Sequence, residues 1–459
     1  MKPQQIVEQA LDARTVDESV VIVHENSSAN LRWAANTLTT NGVMRGRSVT
    51  VISTVNQASG AAVGVVSGSV ADSDDVARLV HQAEQAAKSG EAAPDSADFV
   101  TASTSPDYED PAAETSAAVF SSFAPALGNA FGRARSDDRE LFGFAEHDLT
   151  TTYVGSSTGT RLRHVQPSGR VEITGKSANR TRSTWVGAPT QDFSDIDVDA
   201  LDANVVERLG WAKRQLALDP GRYDVVLPPT AVADLMIYLY WTAAARDAAE
   251  GRTVFSKPGG GTRIGDQLSK QPLTLLSDPN YPGMHCAPFV IAEAASSFSS
   301  VFDNGIPLGR TEWTSAGTLS ALGQTRHSAE LTKLPLTPII DNLALESASG
   351  SGSLTDLVSG VERGLLLTTL WYIREVDPQT LLLTGLTRDG VYLVEGGEVV
   401  GAVNNFRFNE SPVDLLSRVT QAGATGLALP REWADFFTRV AMPPLRVADF
   451  NMSTVSQAS

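Results

Sequence analysis

The chain has 459 residues, 42% of them hydrophobic and 19% charged, with 36 basic against 53 acidic side chains and a formal net charge of −17. That length exceeds one ordinary core, so two or three domains are expected, and so acidic a chain repels phosphate backbones, which argues against nucleic acid as a partner. The single cysteine, Cys286, excludes a disulfide framework or a multi-cysteine metal site within the chain and fits a reducing compartment.

Taken in order, Ile6, Ala10 and Leu11 at helical spacing predict a helix over 3–14. The N-terminus lacks the uninterrupted apolar core of a signal peptide. Runs rich in Val and Ile predict strands over 19–24, 47–54 and 60–66. A helix over 72–88 follows, with Val76, Leu79, Val80 and Ala83 on one face and Ser73 or Asp74 as its cap, which completes a small α/β layer. Residues 89–116, rich in Ala, Ser, Asp, Glu and Pro, read as an exposed connection without chemistry of its own. Next come a helix over 117–135 and a β-rich stretch, 140–186, with turn signals at 155–159, 168–169 and 177–179. A helix over 200–218 stops at Asp219-Pro220-Gly221, where we place the boundary between an N-terminal domain, 1–220, and a C-terminal domain, 221–459.

The second half opens with a strand over 223–227, Pro228-Pro229 and a helix to 250. Its most lipophilic stretch, 231–245, is interrupted by Asp234 and too short to span a membrane, so a cytoplasmic protein is expected. Further on, the pattern predicts a helix over 354–363 and strands over 365–375, 380–386 and 390–394. Glu395-Gly396-Gly397-Glu398 reads as a hairpin turn into a strand over 399–408, before a helix over 412–422 and a terminal strand over 445–452. This is an α+β pattern: α/β layers at the N-terminus, a β-rich middle section and a mixed, β-rich C-terminal domain.

A catalytic zinc needs two or three imidazoles or carboxylates converging, often two His one helical turn apart with a Glu between them. The histidines are His24, His81, His147, His164, His285 and His327, and none pairs in this way. His24-Glu25 begins like HExxH, but Ser28 and Ala29 stand where the second His would fall. His81 opens HQAEQ, with Gln85 in the ligand position of an inverted motif, so a solvated histidine on an amphipathic helix is expected. Adjacent His285 and Cys286 would diverge on a strand. Gly155-Ser156-Ser157-Thr158-Gly159 has the GxSxG form, yet Thr160-Arg161-Leu162-Arg163-His164-Val165 alternates as a strand where a nucleophile elbow needs a helix. In Gly260 to Gln267, Asp266 and Gln267 replace the Lys and Ser/Thr of a phosphate loop, and a flexible loop is expected. Asp303, Asp341 and Asp377 read as solvated loop positions or helix caps. No catalytic, cofactor-binding or metal-ligating residue is assigned to this chain.

Several stretches nonetheless follow one another in a known order. They are Asn30-Leu31-Arg32-Trp33-Ala34-Ala35-Asn36, the 155–159 turn, Gly221-Arg222-Tyr223-Asp224-Val225-Val226-Leu227-Pro228-Pro229, Ser256 with Gly265, Asp278-Pro279, and Phe302-Asp303 with Gly305. Near the end come Gly364-Leu365-Leu366-Leu367, Asp377, Gly390-Val391-Tyr392-Leu393-Val394-Glu395-Gly396-Gly397-Glu398-Val399 and Pro443-Pro444-Leu445-Arg446-Val447. Together they resemble the TldD/PmbA family, bacterial proteins once described as modulators of DNA gyrase. In that family the TldD-type subunit carries HExxxH on the helix after the boundary strand, and a later Cys ligand. Here that helix reads Ala231-Val232-Ala233-Asp234-Leu235-Met236-Ile237-Tyr238-Leu239-Tyr240-Trp241-Thr242, without His or Glu, and 423–437 holds no Cys.

This pattern is similar to the TldE (PmbA) type. The resemblance implies a non-catalytic subunit of a heterodimeric zinc metallopeptidase that processes or degrades unfolded peptides. Zinc would sit in a TldD-type HExxxH partner and no cofactor in this chain; neither nucleic acid nor membrane is an expected partner. Such a subunit could close one wall of a chamber and offer sheet edges to an extended peptide. The sequence departs from the family at Asn304, where an acidic residue is usual, and along 281–301. The alternatives are an independent serine-type hydrolase acting through Ser157 and a scaffolding protein without a peptidase partner.

Overall fold

A computed structural model describes residues 1–101 and 103–456. The first half is built on one antiparallel sheet. Its strands are β1 (Glu18–Ala34), β2 (Thr37–Gln57), β3 (Gly60–Gly68), β4 (Arg139–Ser156), β5 (Arg161–Ser177) and β6 (Arg182–Thr190), in the order β3-β2-β1-β4-β5-β6. Val20, Val21, Ile22 and Val23 are all buried, because this part of the sheet is covered on both faces. Val21 and Val23 pack under α1 (Pro3–Asp12) and α2 (Ser73–Ser89). Val20 and Ile22 instead meet Phe99 and, from the second half of the chain, Phe289 and Phe302. The far end of the sheet carries α3 (Phe123–Ser136) and α4 (Val198–Trp211) over Leu141, Ile173 and Val186.

Several elements differ from their sequence patterns for local reasons. Asp72, rather than Ser73 or Asp74, caps α2, its carboxylate accepting the Asp74 and Asp75 N–H groups at 3.0 and 3.1 Å. The 117–135 helix is a short 3-10 turn, Ala117–Phe120, followed by α3. The 168–169 signal is no turn: Gly169 lies within β5, paired with His147 on one side and Thr190 on the other. There a Cβ would stand 3.0 Å from the Thr190 methyl, so glycine serves close strand approach. The 89–116 connection is fastened by two aromatic anchors. Phe99 stacks on Phe302 at 5.5 Å between ring centroids, and Tyr108 meets Tyr153 edge-on at 5.9 Å.

In the second half a ten-stranded mixed sheet and a five-stranded sheet enclose a large apolar core. Gly221–Leu227 lies at the centre of the larger sheet, parallel to Arg363–Leu367 and antiparallel to Leu445–Val455. The intended 365–375 strand breaks at Thr368-Thr369 into Arg363–Leu367 and Leu370–Asp377, and the 399–408 strand breaks at Asn404-Asn405. The helices shorten likewise: Leu354–Ser359, Pro412–Ser417, and a helix to 250 that divides into α5 (Pro229–Trp241) and Ala245–Ala249. Helix α5 starts with Pro229 in its first turn and is apolar around its circumference because core surrounds it. The class is α+β, as the element pattern predicts. No helix among the described residues is long and apolar enough to cross a membrane.

Candidate functional site: the cleft between the two halves

Residues paired directly across adjacent strands share one face of a sheet. His24, Thr152 and His164 form such a row across β1, β4 and β5. They make one wall of a cavity of about 610 Å³; Tyr240 and Trp241 at the end of α5, with His285, Glu293 and Asp341, make the other. Both His24 nitrogens are engaged, Nδ1 at 2.9 Å from Thr152 Oγ1 and Nε2 at 3.4 Å from Glu293 Oε1. The His24 contact, and the Thr50 hydroxyl donating to the same carboxylate at 2.6 Å, hold Glu293 below the usual carboxylate range. His164 Nε2 lies 3.0 Å from Gln166 Oε1, and the Gln166 amide donates to the His285 carbonyl across the cleft at 3.1 Å. Burial favours the neutral imidazole of His164 and pushes the Asp341 carboxyl up, an effect that His164 opposes.

The cavity continues into a second of about 380 Å³ that shares Thr150, Ser168, Asp435 and Thr438 with it and adds Glu146, Asp148 and Arg170. Burial, then the neighbouring Glu146, pushes Asp148 up to about 6, against the pull of Arg170. An acid whose folded value is raised contributes stability that is present below its unfolded value and lost as pH rises through the folded one. Asp148→Asn is therefore expected to match the parent in melting temperature at about pH 4 and to exceed it at about pH 8. Equal melting temperatures at both pH values would contradict the assignment.

Helix α5, to which the resemblance would assign zinc ligands, carries neither His nor Glu. Every residue of α5 from Ala231 to Ile237 is buried. The carboxylate of Asp234 accepts the backbone N–H of Glu432 at 2.9 Å and of Arg431 at 3.3 Å, and the Trp433 indole donates to the Asp234 carbonyl at 2.9 Å. Burial pushes this carboxyl well above its ordinary value. Asp234 thus anchors the segment that carries Phe436, Phe437 and Arg439 to the cleft. Among the described residues no three His, Cys, Asp or Glu side chains gather as a metal set. With His24 and His164 committed to protein partners, the donors present do not fit a catalytic zinc.

The remaining candidates from the sequence fall elsewhere. Ser157 occupies the turn between β4 and β5 and accepts the Ser19 N–H at 3.0 Å, so GxSxG is a hairpin here. His81 is exposed on α2. His285 and Cys286 diverge, one exposed and one buried, on an irregular segment rather than a strand. Burial pushes the Cys286 thiol up to about 12, far from a reactive thiolate. Residues 260–267 form an irregular loop. Asp303 is not solvated: it is buried against Arg326, Nε to Oδ1 2.7 Å. Asp377 closes a turn on the Gln379 N–H at 3.1 Å, whereas Asp341 faces the cavity. Asn304 knits the 281–301 loop together, its amide bonding to Ala292 N–H, Ala292 C=O and Val301 C=O at 2.7, 2.8 and 2.9 Å.

Two arginines fasten the walls. The Arg431 guanidinium lies between Trp185 and Trp371, 4.9 and 4.5 Å from the ring centroids, and bonds to Glu172 at 2.7 Å. Arg439, 9% exposed, donates to the carbonyls of Gly283, Thr190 and Pro167 at 2.7, 3.0 and 3.3 Å. At the mouth, Phe436 is 72% exposed and packs edge-on against Trp241.

The family model of the PmbA/TldA metallopeptidase C-terminal domain matches residues 220–454. A comparison with curated proteins gives no match. Among solved structures, the chain is similar to TldE from Thermococcus kodakarensis, with TM-score 0.79 and 14% identity over 98% of this chain and 99% of that one. It is similar also to proposed modulators of DNA gyrase from Bacteroides thetaiotaomicron (TM-score 0.74, 14% identity, 98% of each chain) and Thermotoga maritima (0.72, 14%, 95% of each). At that identity the likeness speaks for the fold alone. The family model, however, spans just over half of the chain, and the chain belongs to the PmbA/TldD family.

Proposed function

We propose that this chain is the non-catalytic subunit of a two-component zinc metallopeptidase, paired with a TldD-type subunit that carries the HExxxH helix and the metal. The observation that carries this reading is α5: at the place of the ligand helix stands a buried apolar segment whose one carboxyl is bound to backbone. The likeness in fold to TldE supports it. In this reading the chain holds no cofactor of its own, works in the cytoplasm, and lays an extended, unfolded peptide along the cleft. Glu146, Asp148 and Asp435 outnumber Arg170, which bonds to Asp435 at 2.7 Å and to Glu146 at 3.3 Å, so the floor of that cleft keeps an acidic excess, which disfavours nucleic acid.

The test is metal analysis and casein cleavage by this chain alone, by a TldD-type subunit alone, and by the mixture. Cleavage is expected only on mixing, with no stoichiometric zinc on this chain. Cleavage by this chain alone, or one tightly held zinc per chain, would sink the reading.

A further inference from the structure

Resting on the reading of the cleft as a peptide site, we propose that its cavity receives the long cationic side chain of an arginine or lysine of that peptide, with the cation on the carboxylate of Asp341 and the stem against Trp241 and Phe436. The lining of the cavity holds one permanent cation, Arg439, and three carboxylates, Glu293, Asp341 and Asp435. All but Asp341 are spent. Arg439 holds three backbone carbonyls, Glu293 holds His24 and Thr50, and Asp435 accepts from Arg170 at 2.7 Å. Asp341 lies deep enough for burial to push its carboxyl up. Its side chain is nonetheless open to the cavity and forms no hydrogen bond or ion pair with any described residue.

The neutral ring of His164 adds a second acceptor. The Gln166 amide donates both to Pro167 and to His285, so its oxygen accepts from His164 Nε2, and the imidazole is left with an unprotonated Nδ1. Acceptors without donors call for a ligand that donates. Helix α5 ends at Trp241, and the partial negative charge of a helix C-terminus adds to the pull on a cation.

The rest of this wall is apolar, which selects among cations. Met284, Ile291 and Ile339 share the lining with Trp241 and Phe436. Trp241 packs edge-on against Trp433 and Phe436 at 5.0 and 5.4 Å between ring centroids, and the N–H groups of Phe436 and Phe437 both donate to the Trp433 carbonyl at 2.9 Å. A fastened segment thus holds the exposed ring of Phe436 at the mouth. Arginine and lysine lay an aliphatic stem on such a surface while the charged head reaches a carboxylate, and aromatic rings attract the head as well. A divalent metal needs several oxygen ligands where one carboxylate is free. An aromatic or aliphatic side chain would leave Asp341 without a donor. On an extended peptide the neighbours of the cationic residue turn to the opposite wall, toward His24 and Thr152.

Fluorescence anisotropy of short labelled Ser/Thr peptides on the full chain, with cleavage of the same peptides by the mixed subunits, tests the proposal. The peptides differ only in one central residue: arginine, lysine, citrulline, phenylalanine or glutamate. Arginine and lysine are expected to bind about tenfold or more tighter than citrulline, which keeps the shape of arginine without its charge. Asp341→Asn should bring the arginine peptide to the level of citrulline and leave the citrulline peptide unchanged. It should not lower the melting temperature, since the carboxylate bonds to no described residue. Phe436→Ala should weaken the arginine peptide by about threefold. Several results would overturn the inference: no peptide bound, phenylalanine preferred, arginine and citrulline within about threefold of each other, a preference that survives Asp341→Asn, or Phe436→Ala binding as the parent does. An arginine preference without cleavage on mixing leaves the site standing and overturns the subunit reading instead.

Discussion

Replacing Asp234 with alanine is expected to lower the free energy of unfolding by about 3 kcal/mol at mildly acidic pH and by less at alkaline pH. The substitution deprives the Arg431 and Glu432 N–H groups of their acceptor, at about 1–3 kcal/mol for each buried donor left unpaired, and opens a small hole in the core. Opposed to this is relief from burying a carboxyl. Because burial raises the native value of Asp234, its favourable contribution is present below the unfolded value of 3.8 and declines as pH rises through the folded one. The alanine variant should therefore lose most at the acidic end of the range. Urea unfolding at about pH 5 and about pH 8 measures both quantities, and a larger loss at the higher pH would contradict the sign. The same variant should loosen the segment that brings Phe436, Phe437 and Arg439 to the cleft, so activity in the mixing assay should fall even where the chain remains folded.

Arg431→Ala should cost about 3 kcal/mol, and Arg431→Lys should recover little of it. The guanidinium makes two stacking contacts of about 0.5–2 kcal/mol each and a charge-assisted bond to Glu172 of about 1.5–3 kcal/mol, and these do not add in full. An ammonium cannot lie flat between two indoles and reach the carboxylate at the same time. Trp185 and Trp371 lie on the two halves of the chain, so the loss falls on the seam, and tryptophan emission should shift with it. Chemical denaturation of both variants decides the matter: a lysine variant as stable as the parent would show that charge alone suffices.

Much of this architecture was legible where local chemistry settles it. Asp219-Pro220-Gly221 does lead into a strand, although it does not stop the helix before it, since α4 ends at Trp211 and Gln215–Leu216 is a short strand; Gly396 and Gly397, with φ of 59° and 83°, make the tight hairpin that Glu395-Gly396-Gly397-Glu398 predicts. The lack of His and Glu in α5 could be read directly from its residue types. Less legible were features fixed by distant parts of the chain. The first half of β2 is largely exposed, its apolar Leu38, Val43 and Met44 included, so no alternation marks it, and only pairing with β1 makes it a strand. Asp303 resembles any loop aspartate until Arg326 is folded onto it. The cleft was the hardest to foresee. Alternation along β4 and β5 shows that Thr152 and His164 share a face, but nothing local shows that Glu293 and Asp341 will meet them.

The pairing of Phe99 with Phe302 has a consequence for biosynthesis. The strands of the first sheet have all been made by residue 190, yet on one face Val20, Ile22, Ile52 and Val154 have only Phe99 and its connection to cover them until Phe289 and Phe302 emerge. At 5–20 residues per second that interval lasts on the order of ten seconds, long compared with hydrophobic collapse. During each round of translation, then, the nascent chain presents a partly covered apolar sheet before the rest of its lid exists.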